Sequence, residues 1–331
     1  MALRCALATL IASLVLAGSA HAAAFLPPKG KVWNGVTAGE DLGDFRARAG
    51  SDPAVRGQFV RWGGGYEHAF QRAASAGARV MLHVSTAGGQ GMAGVISPGE
   101  IARGRGDGYL LSLNRRFARH SAPSYVRLMG EMNNCDNAYA ALNCNGSRRN
   151  ADHSARRFKQ AWKRSVLIVR GGDVQAINRR LRGLRLPPVN TAAASLATPR
   201  VAFVWAPMTG GSPMVPSLAP AVYWPGGDYV DWVGTSFYSR FPNFGYLEPF
   251  YQRFAVGQRK PFAFAEWAMW GSDNAPFARR LFGWVGSHGR VRMMQYNQGD
   301  RTSGPFRLRR YPSAAQVIRG ALASRRFDAR P

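Results

Sequence analysis

Cysteine is scarce in this sequence, and this scarcity argues against a metal centre. The 331 residues include 3 cysteines. Cys5 lies near the N-terminus, whereas Cys135 and Cys144 lie on one short segment, CDNAYAALNC. No histidine and no second cysteine pair stands at the spacing of metal ligands around that segment, so we expect no metal site.

Long apolar runs are absent after residue 24, which argues against a membrane span. Residues 1–24 read MALRCALATLIASLVLAGSAHAAA, and Ala20-His21-Ala22 has the A-x-A form after which signal peptidase cleaves. We predict a signal peptide over residues 1–22 and a secreted, extracytoplasmic chain over residues 23–331; a buried N-terminal helix is the alternative. In an oxidising compartment Cys135 and Cys144 should form a disulfide, which would stabilise the fold by about 2–3 kcal/mol.

Acidic residues are few, with 18 Asp and Glu against 44 Lys and Arg, and the net charge is +26. One interpretation is a polyanionic partner, either an acidic polysaccharide or a nucleic acid. The other, which we favour, is a GC-rich genome that encodes arginine wherever a solvated cation suffices. The arginines are scattered, without interleaved aromatic residues or a nucleic-acid motif, so we expect no specific nucleic-acid partner.

A glycine-rich phosphate fingerprint and low-complexity segments are also missing. Without the fingerprint after the first apolar run, a dinucleotide-binding fold is disfavoured, and no cofactor is expected. Without long linkers or short-period repeats, one domain is the simpler interpretation.

Short apolar runs alternate with amphipathic helical patterns, as in parallel α/β proteins. Eight such runs favour a closed barrel over an open sheet, so the predicted fold is a single-domain (β/α)8 TIM barrel. The predicted strands are 31–35, 58–62, 79–85, 124–130, 201–206, 229–238, 261–266 and 290–296.

Glutamate is rare, and two of the six glutamates directly end predicted strands. Glu131 follows the fourth strand in VRLMGEMN, and Glu266 ends the seventh in FAFAEWA. A carboxylate at the end of a buried strand is costly unless it is paired or used. At these two strand ends the side chains would face one another across the barrel mouth, where glycosidases place a pair of carboxyl groups. The alternative is two structural carboxylates that cap helices or pair with arginines.

Aromatic residues crowd the same strand ends. Sugar rings present apolar C–H faces that stack on aromatic planes, so these side chains predict a saccharide site. Trp232 lies in mid-strand on the face of Val230 and is assigned to the core. The strand-end aromatic residues are Trp205, Tyr238, Trp267, Trp270 and Tyr296.

Five separated segments together resemble one known family. They are VRLMGEMN (126–133), FVWAPM (203–208), YWPGGDYVDWVGTSFY (223–238), PFAFAEWA (261–268) and MMQYN (293–297). Their order and spacing are similar to those of glycoside hydrolase family 26, the β-mannanase family within a clan of retaining (β/α)8 hydrolases. The run YWPGGDYVDWVG is the most specific piece.

This resemblance implies residue roles. Glu131 would be the acid/base and Glu266 the nucleophile. Tyr238 would hydrogen-bond the nucleophile, and Arg127 would lie beneath the acid/base. Substrate subsites would include Trp205, Trp267 and Tyr296.

The sequence also departs from the family pattern. Gly130 stands where the family usually has histidine before the acid/base, and the cysteine loop replaces a tryptophan-rich motif. Met208 and Gly227 stand where the family usually has polar residues. His83, at the end of the third strand, is a candidate to supply the missing imidazole from another direction; the alternative is a structural, hydrogen-bonded histidine.

Three hypotheses follow for function. The first is a secreted, monomeric, retaining β-glycoside hydrolase that acts on a β-mannan or on a related neutral or acidic polysaccharide. The second is a saccharide-binding barrel without catalysis, because Gly130 and the cysteine loop alter the family pattern. The third is an exported protein that binds polyanions through its arginines.

Overall fold

Eight parallel strands hydrogen-bond in chain order, and the last pairs with the first to close a barrel. The computed structural model describes residues 24–38, 42–88, 93–299, 303–328 and 330. The predicted signal peptide therefore lies outside the described residues. The strands are β1 Val32–Ala38, β2 Val55–Arg61, β3 Arg79–Ser85, β4 Ser124–Leu128, β5 Val201–Trp205, β6 Trp232–Tyr238, β7 Phe262–Ala268 and β8 Val291–Gly299.

Helices surround the barrel, and several begin at residues that satisfy free backbone N–H groups. Ser97 and Glu100 form a capping box, and the side chain of Ser154 accepts a hydrogen bond from Arg157 N. No helix among the described residues has the length and apolar character needed to cross a bilayer. The helices are α1 Gly43–Ala49, α2 Glu67–Ser75, α3 Pro98–Ala102, α4 Asp107–Ala118, α5 Ala155–Arg170, α6 Val174–Gly183, α7 Phe244–Phe250, α8 Ala275–Ser287 and α9 Pro312–Leu322.

The two-residue period of each strand divides the apolar side chains into two layers. In β5, Ala202 and Val204 point into the barrel, whereas Phe203 and Trp205 point toward the helices. The interior layer fills the N-terminal half of the barrel, and the larger outer layer joins the barrel to its helices. Interior residues include Phe25, Trp33, Val55, Met81, Tyr125, Trp232 and Met293.

A buried ion pair fixes the long connection between β4 and β5. Arg164 on α5 is fully buried, and its Nε donates to Asp107 Oδ1 on α4 at 2.7 Å. Its remaining donors reach the carbonyl oxygens of Pro187 and Pro188 at 2.7 and 3.0 Å. A buried charge pair is tolerated because every charge has partners, so α4, α5 and the following loop are fixed together.

The eight predicted strands and the barrel are confirmed, with shifted boundaries. The sixth strand begins at Trp232 and not at Tyr229, because Gly227–Tyr229 forms a 3-10 turn. Trp232 is 1% exposed inside the barrel, in agreement with its assignment to the core.

Candidate active site

Glu266 lies at the centre of a buried cluster at the C-terminal end of the barrel. One carboxylate oxygen accepts a hydrogen bond from Arg127 Nη1, and the other accepts one from the Tyr238 hydroxyl. Asn297 Nδ2 donates to the second oxygen at 3.0 Å. The four residues come from β4, β6, β7 and β8, and the closed barrel brings them to the end where TIM-barrel chemistry takes place.

Burial and hydrogen bonding act in opposite directions on Glu266. Burial, the largest effect, raises the pKa of its carboxyl, and the Arg127 guanidinium and the Tyr238 hydroxyl act to lower it. The pKa of Tyr238 lies well above its ordinary value, because the phenol is buried and faces Glu266. Tyr238 therefore keeps its proton and donates a hydrogen bond to the carboxylate. Three donors favour the ionised form that a nucleophile requires.

A β-bulge in β7 turns Glu266 into the barrel. Relative to both β6 and β8, β7 has one extra residue between Phe264 and Trp267. Phe264 and Trp267 lie in the outer layer and Ala265 lies in the interior, so Ala265 and Glu266 point inward in succession. In a regular strand Glu266 would share the outer face with Phe264.

Glu131 lies three residues beyond β4 and faces the same guanidinium as Glu266. Its Oε1 is 3.6 Å from Arg127 Nη2, and its Oε2 accepts a hydrogen bond from Asn134 Nδ2 at 3.1 Å. Glu131 has φ 53° and Met129 has φ 45°, the left-handed region that non-glycine residues seldom adopt. The Glu131 side chain is 19% exposed and that of Glu266 is 10% exposed, so Glu131 is the more accessible to solvent. Local backbone strain of this kind is often found at functional sites.

Gly130 has no side chain, and the Arg127 side chain occupies the space that a Cβ atom at residue 130 would fill. A Cβ atom at residue 130 would lie 2.4 Å from Arg127 Nε and 2.5 Å from its Cζ. The guanidinium cannot easily move away, since Nη2 also donates to Ser236 Oγ at 2.7 Å and the side chain is 4% exposed. Glycine at this position is therefore required by the placement of Arg127.

His83 supports Arg127 from below. Arg127 Nη1 lies 3.3 Å from His83 Nδ1, and His83 Nε2 lies 3.1 Å from Thr37 Oγ1. Arginine can only donate, so we assign the imidazole proton to Nε2. Burial, and then the charge of Arg127, lower the pKa of His83 well below its ordinary value. No described hydrogen bond joins His83 to Glu131, so the structure places it under the arginine and not beside the predicted acid/base.

Three predicted subsite residues lie away from the mouth. Trp205 is fully buried against Trp224 and Phe254 in the outer layer, with ring centroids 4.9 and 5.0 Å away. Trp267 and Tyr296 are 2% and 1% exposed, and their rings contact each other in the same layer. Sequence proximity to a strand end was misleading here, because the strand period turns Trp205 and Tyr296 toward the helices and the bulge in β7 does the same for Trp267. The structure therefore corrects the expectation that these three residues contact a sugar.

Other residues at the mouth were missed or undervalued. Asn297 follows Tyr296, and the polar alternation of Gln295 and Asn297 in MMQYN was the available signal for an inward face. Phe59 is 37% exposed, with its ring centroid 4.9 Å from that of His83. Trp270 lies 5.6 Å from Tyr238 between ring centroids. Phe59 and Trp270 are therefore better placed than Trp205 to stack on a sugar.

The predicted disulfide joins Cys135 and Cys144 in the loop after Glu131. Asn134, just before this loop, holds the Glu131 carboxylate, and Asn137 Nδ2 within it donates to the Glu131 carbonyl at 2.9 Å. Among the described residues, the two cysteines and Asp136 form a group with the spacing of metal ligands. Because both sulfur atoms are in the disulfide, this group has no thiolate to offer a metal.

Solved structures share this architecture at low sequence identity. An endo-β-1,4-mannanase double mutant from Cellulomonas fimi matches with a TM-score of 0.61 and 13% identity, over 93% of this chain and 75% of that chain. The catalytic domain of a family 26 endo-β-1,4-mannanase from Bacillus sp. JAMB-750 gives 0.59 and 12%, over 93% and 90%. A family 26 β-mannanase from Bacteroides ovatus gives 0.55 and 15%, over 93% and 92%.

The fold is that of family 26 mannanases. The resemblance predicted from five short segments is confirmed at the level of the fold. No protein-family model and no curated protein sequence matches the chain. At 12–15% identity the mannanase fold says nothing by itself about the reaction, so function has to be argued from the site.

Proposed function

We propose that this protein is a retaining β-glycoside hydrolase of the mannanase type, with Glu266 as nucleophile and Glu131 as acid/base. The observation that carries the proposal is the pair of carboxylates on one guanidinium: Arg127 Nη1 contacts Glu266, and Nη2 lies 3.6 Å from Glu131. A short separation of about 5–5.5 Å between two carboxyl groups is what retaining enzymes need.

The reaction would take place in two displacements. A Glu266 oxygen attacks the anomeric carbon while Glu131 protonates the glycosidic oxygen, which leaves with the departing sugar. Glu131, now ionised, then removes a proton from a water molecule, and the water oxygen attacks the anomeric carbon. The bond to Glu266 breaks, and the product keeps the β configuration.

The surroundings support these two roles. Glu266 is the more buried carboxyl and has three donors that favour its charge, as a nucleophile requires. Glu131 is more exposed and can exchange a proton with a leaving group and with water. Phe59 and Trp270 offer aromatic surface at the mouth for sugar rings.

The decisive experiment measures reducing-end release from mannan, glucomannan, mixed-linkage glucan, xylan and an acidic exopolysaccharide. We expect Glu131→Gln and Glu266→Gln each to lower the rate on the cleaved substrate by at least about 100-fold. The matched control, Glu67→Gln at an exposed position of α2, should retain full activity. Unchanged activity in the double variant would contradict the proposal, and oligosaccharide binding without cleavage would favour a binding barrel.

Rescue by azide distinguishes the nucleophile from the acid/base. With an activated aryl β-glycoside, azide in Glu266→Ala should attack once from the vacated side and yield the α-glycosyl azide. In Glu131→Ala the glycosyl-enzyme still forms, so azide should yield the β-glycosyl azide. The reverse pattern would exchange the two assignments.

We also propose that residues 1–22 are a signal peptide and that the protein is secreted. The disulfide supports this proposal, because such bonds persist in oxidising compartments. N-terminal sequencing of protein from the culture medium should begin at Ala23, and retention of an uncleaved chain in the cytoplasm would contradict the proposal.

A further inference from the structure

A second concave site lies at the opposite end of the barrel from Glu266. It is a cavity of about 790 Å³ between the segment Leu26–Lys29 and the N-terminal ends of strands β1, β3, β7 and β8. We call it the basal pocket. Among the described residues, six cationic side chains and no carboxylate line it: Lys29, Arg79, Arg259, Arg290, Arg292 and Arg330.

Two of these arginines build the wall of the basal pocket. Arg79 Nη1 donates to the Ala24 carbonyl at 2.7 Å, and Arg292 Nη2 donates to the carbonyls of Pro27 and Pro28 at 2.7 and 2.8 Å. They hold the N-terminal segment against the barrel. The buried Nε atoms of Arg79 and Arg292 find no acceptor among the described residues, so donors remain at this wall.

Three further cationic side chains have no bonding partner among the described residues. The side chains of Lys29, Arg259 and Arg290 make no hydrogen bond or ion pair with any described residue. Burial, and then the charge of Arg326, lower the pKa of Arg292, which shows that positive charge also extends behind the wall. Like charges gathered in a concave surface repel one another, and an anion would relieve that repulsion.

We propose that the basal pocket binds an anionic glycan, an oligosaccharide that carries carboxylate or sulfate groups. Arginine forks match such groups with paired hydrogen bonds. Pro27, Pro28 and Pro261 supply apolar lining for the C–H faces of sugar rings. The volume is within the range of small-molecule sites and exceeds what a single inorganic anion fills.

A nucleic acid fits the basal pocket less well. Sites for single strands present exposed aromatic planes on which bases stack, and the tryptophan at this pocket, Trp33, is 1% exposed. The described lining of the basal pocket therefore offers charge and aliphatic surface without a stacking platform. Binding at the basal pocket would keep the protein on an acidic polysaccharide, while the C-terminal face of the barrel remained open to a second polysaccharide chain.

The test compares two triple variants with the same loss of charge. The first, Lys29→Gln with Arg259→Gln and Arg290→Gln, removes cations of the basal pocket that hold nothing in place. The second, Arg115→Gln with Arg179→Gln and Arg182→Gln, removes exposed arginines of α4 and α6. Calorimetry at fixed ionic strength would titrate each protein with a heparin-derived hexasaccharide, a hexauronate, neutral mannohexaose and inorganic sulfate.

We expect at least one of the two acidic hexasaccharides to bind, with affinity lowered about 10-fold or more in the first variant and less than about 3-fold in the second. Equal losses of affinity in the two variants would show that binding depends only on overall charge, and would overturn the proposal. Tight binding of sulfate alone, or of a single-stranded hexanucleotide in preference to both glycans, would also overturn it.

This outcome is independent of catalysis. Hydrolysis of a neutral β-glycan, measured in parallel, should be the same in the first variant as in the unmodified protein, because no residue of the basal pocket contacts the Glu266 cluster. Binding of an acidic glycan without any hydrolysis would support the proposal for the basal pocket and refute only the proposed reaction.

Discussion

Arg127 connects more of the candidate site than any other residue described above. Its guanidinium contacts Glu266 and Ser236, lies 3.6 Å from Glu131, and rests on His83. A buried arginine with partners on several sides is held in one orientation. The relative position of the two carboxylates therefore depends on this one side chain.

Gly130 is the residue whose change should disturb that position most directly. In Gly130→Ala the new Cβ would overlap the Arg127 guanidinium, so the arginine must move and its carboxylate contacts weaken. We expect the hydrolysis rate to fall about 10-fold or more, with a cost in unfolding free energy of about 1–3 kcal/mol. Gly283→Ala, in open space on α8, is the control and should keep full activity. Normal activity in Gly130→Ala would refute this role.

Tyr238→Phe tests the electrostatics of Glu266. Removing the donated hydrogen bond disfavours the ionised carboxylate, so the pKa of Glu266, already raised by burial, should rise further. The acid limb of the kcat/KM profile should move to higher pH, and the rate at the optimum should fall about 10- to 100-fold. Tyr246→Phe, whose exposed hydroxyl contacts Met214, should show neither effect. An unmoved acid limb would contradict this account.

At this scale the sequence indicated which residues come together better than where each side chain points. Glu131 and Glu266 could be chosen because carboxylates at strand ends are costly without a partner or a role, whereas Arg127 and the role of Tyr238 came from the family resemblance. The direction of Trp205 could not, because the strand period alone leaves open which of two neighbours faces inward.

Among the elements, the loop after β4 does the most for the site. Its disulfide joins Cys135 to Cys144; Asn134, next to Cys135, donates to the Glu131 carboxylate, and Asn137 within the closed segment donates to the Glu131 carbonyl. The pairing was predictable from two nearby cysteines in a chain that the sequence predicts to be exported. The left-handed backbone at Glu131 was not, since nothing in GEMN requires it.

Replacing both cysteines by serine should affect stability and activity together. We expect the free energy of unfolding to fall by about 2–3 kcal/mol in urea titrations, because the unfolded loop is no longer constrained. The hydrolysis rate should fall as the asparagines lose their fixed positions. Dithiothreitol should reproduce both effects in the unmodified protein and change nothing in the variant. Equal stability of the two proteins would contradict the expectation.

At the scale of the whole molecule, the barrel interior changes character along its axis. Apolar side chains fill the N-terminal half, and above them Thr37, His83 and Arg127 form a buried polar column that ends at Glu266. The alternation of apolar runs and helices predicted the barrel. The polar column could not be predicted, because it joins residues far apart in sequence through register and closure.

His83 should make the whole fold sensitive to acid. Its imidazole stays neutral when folded, whereas in the unfolded chain it takes up a proton as the pH falls below about 6.5. The stability contributed is thus complete above that pH and is lost on acidification, by up to about 1.4 kcal/mol per pH unit. His83→Gln should lower the slope of the unfolding free energy against pH, measured by urea unfolding between about pH 5 and pH 7. His68→Gln on α2 is the control, and identical slopes in both variants would refute the assignment.

The bulge in β7 gives this strand one residue, Ala265, that has no partner in the register with β6. Deleting Ala265 would restore a regular period, with the glutamate still inward and Trp267 still outward. The carboxylate would then remain opposite Ser236, and Trp267 would remain opposite Phe237, as they are now. The strand could thus have gained or lost this one residue in evolution while the glutamate kept both its inward direction and its neighbour in the sheet.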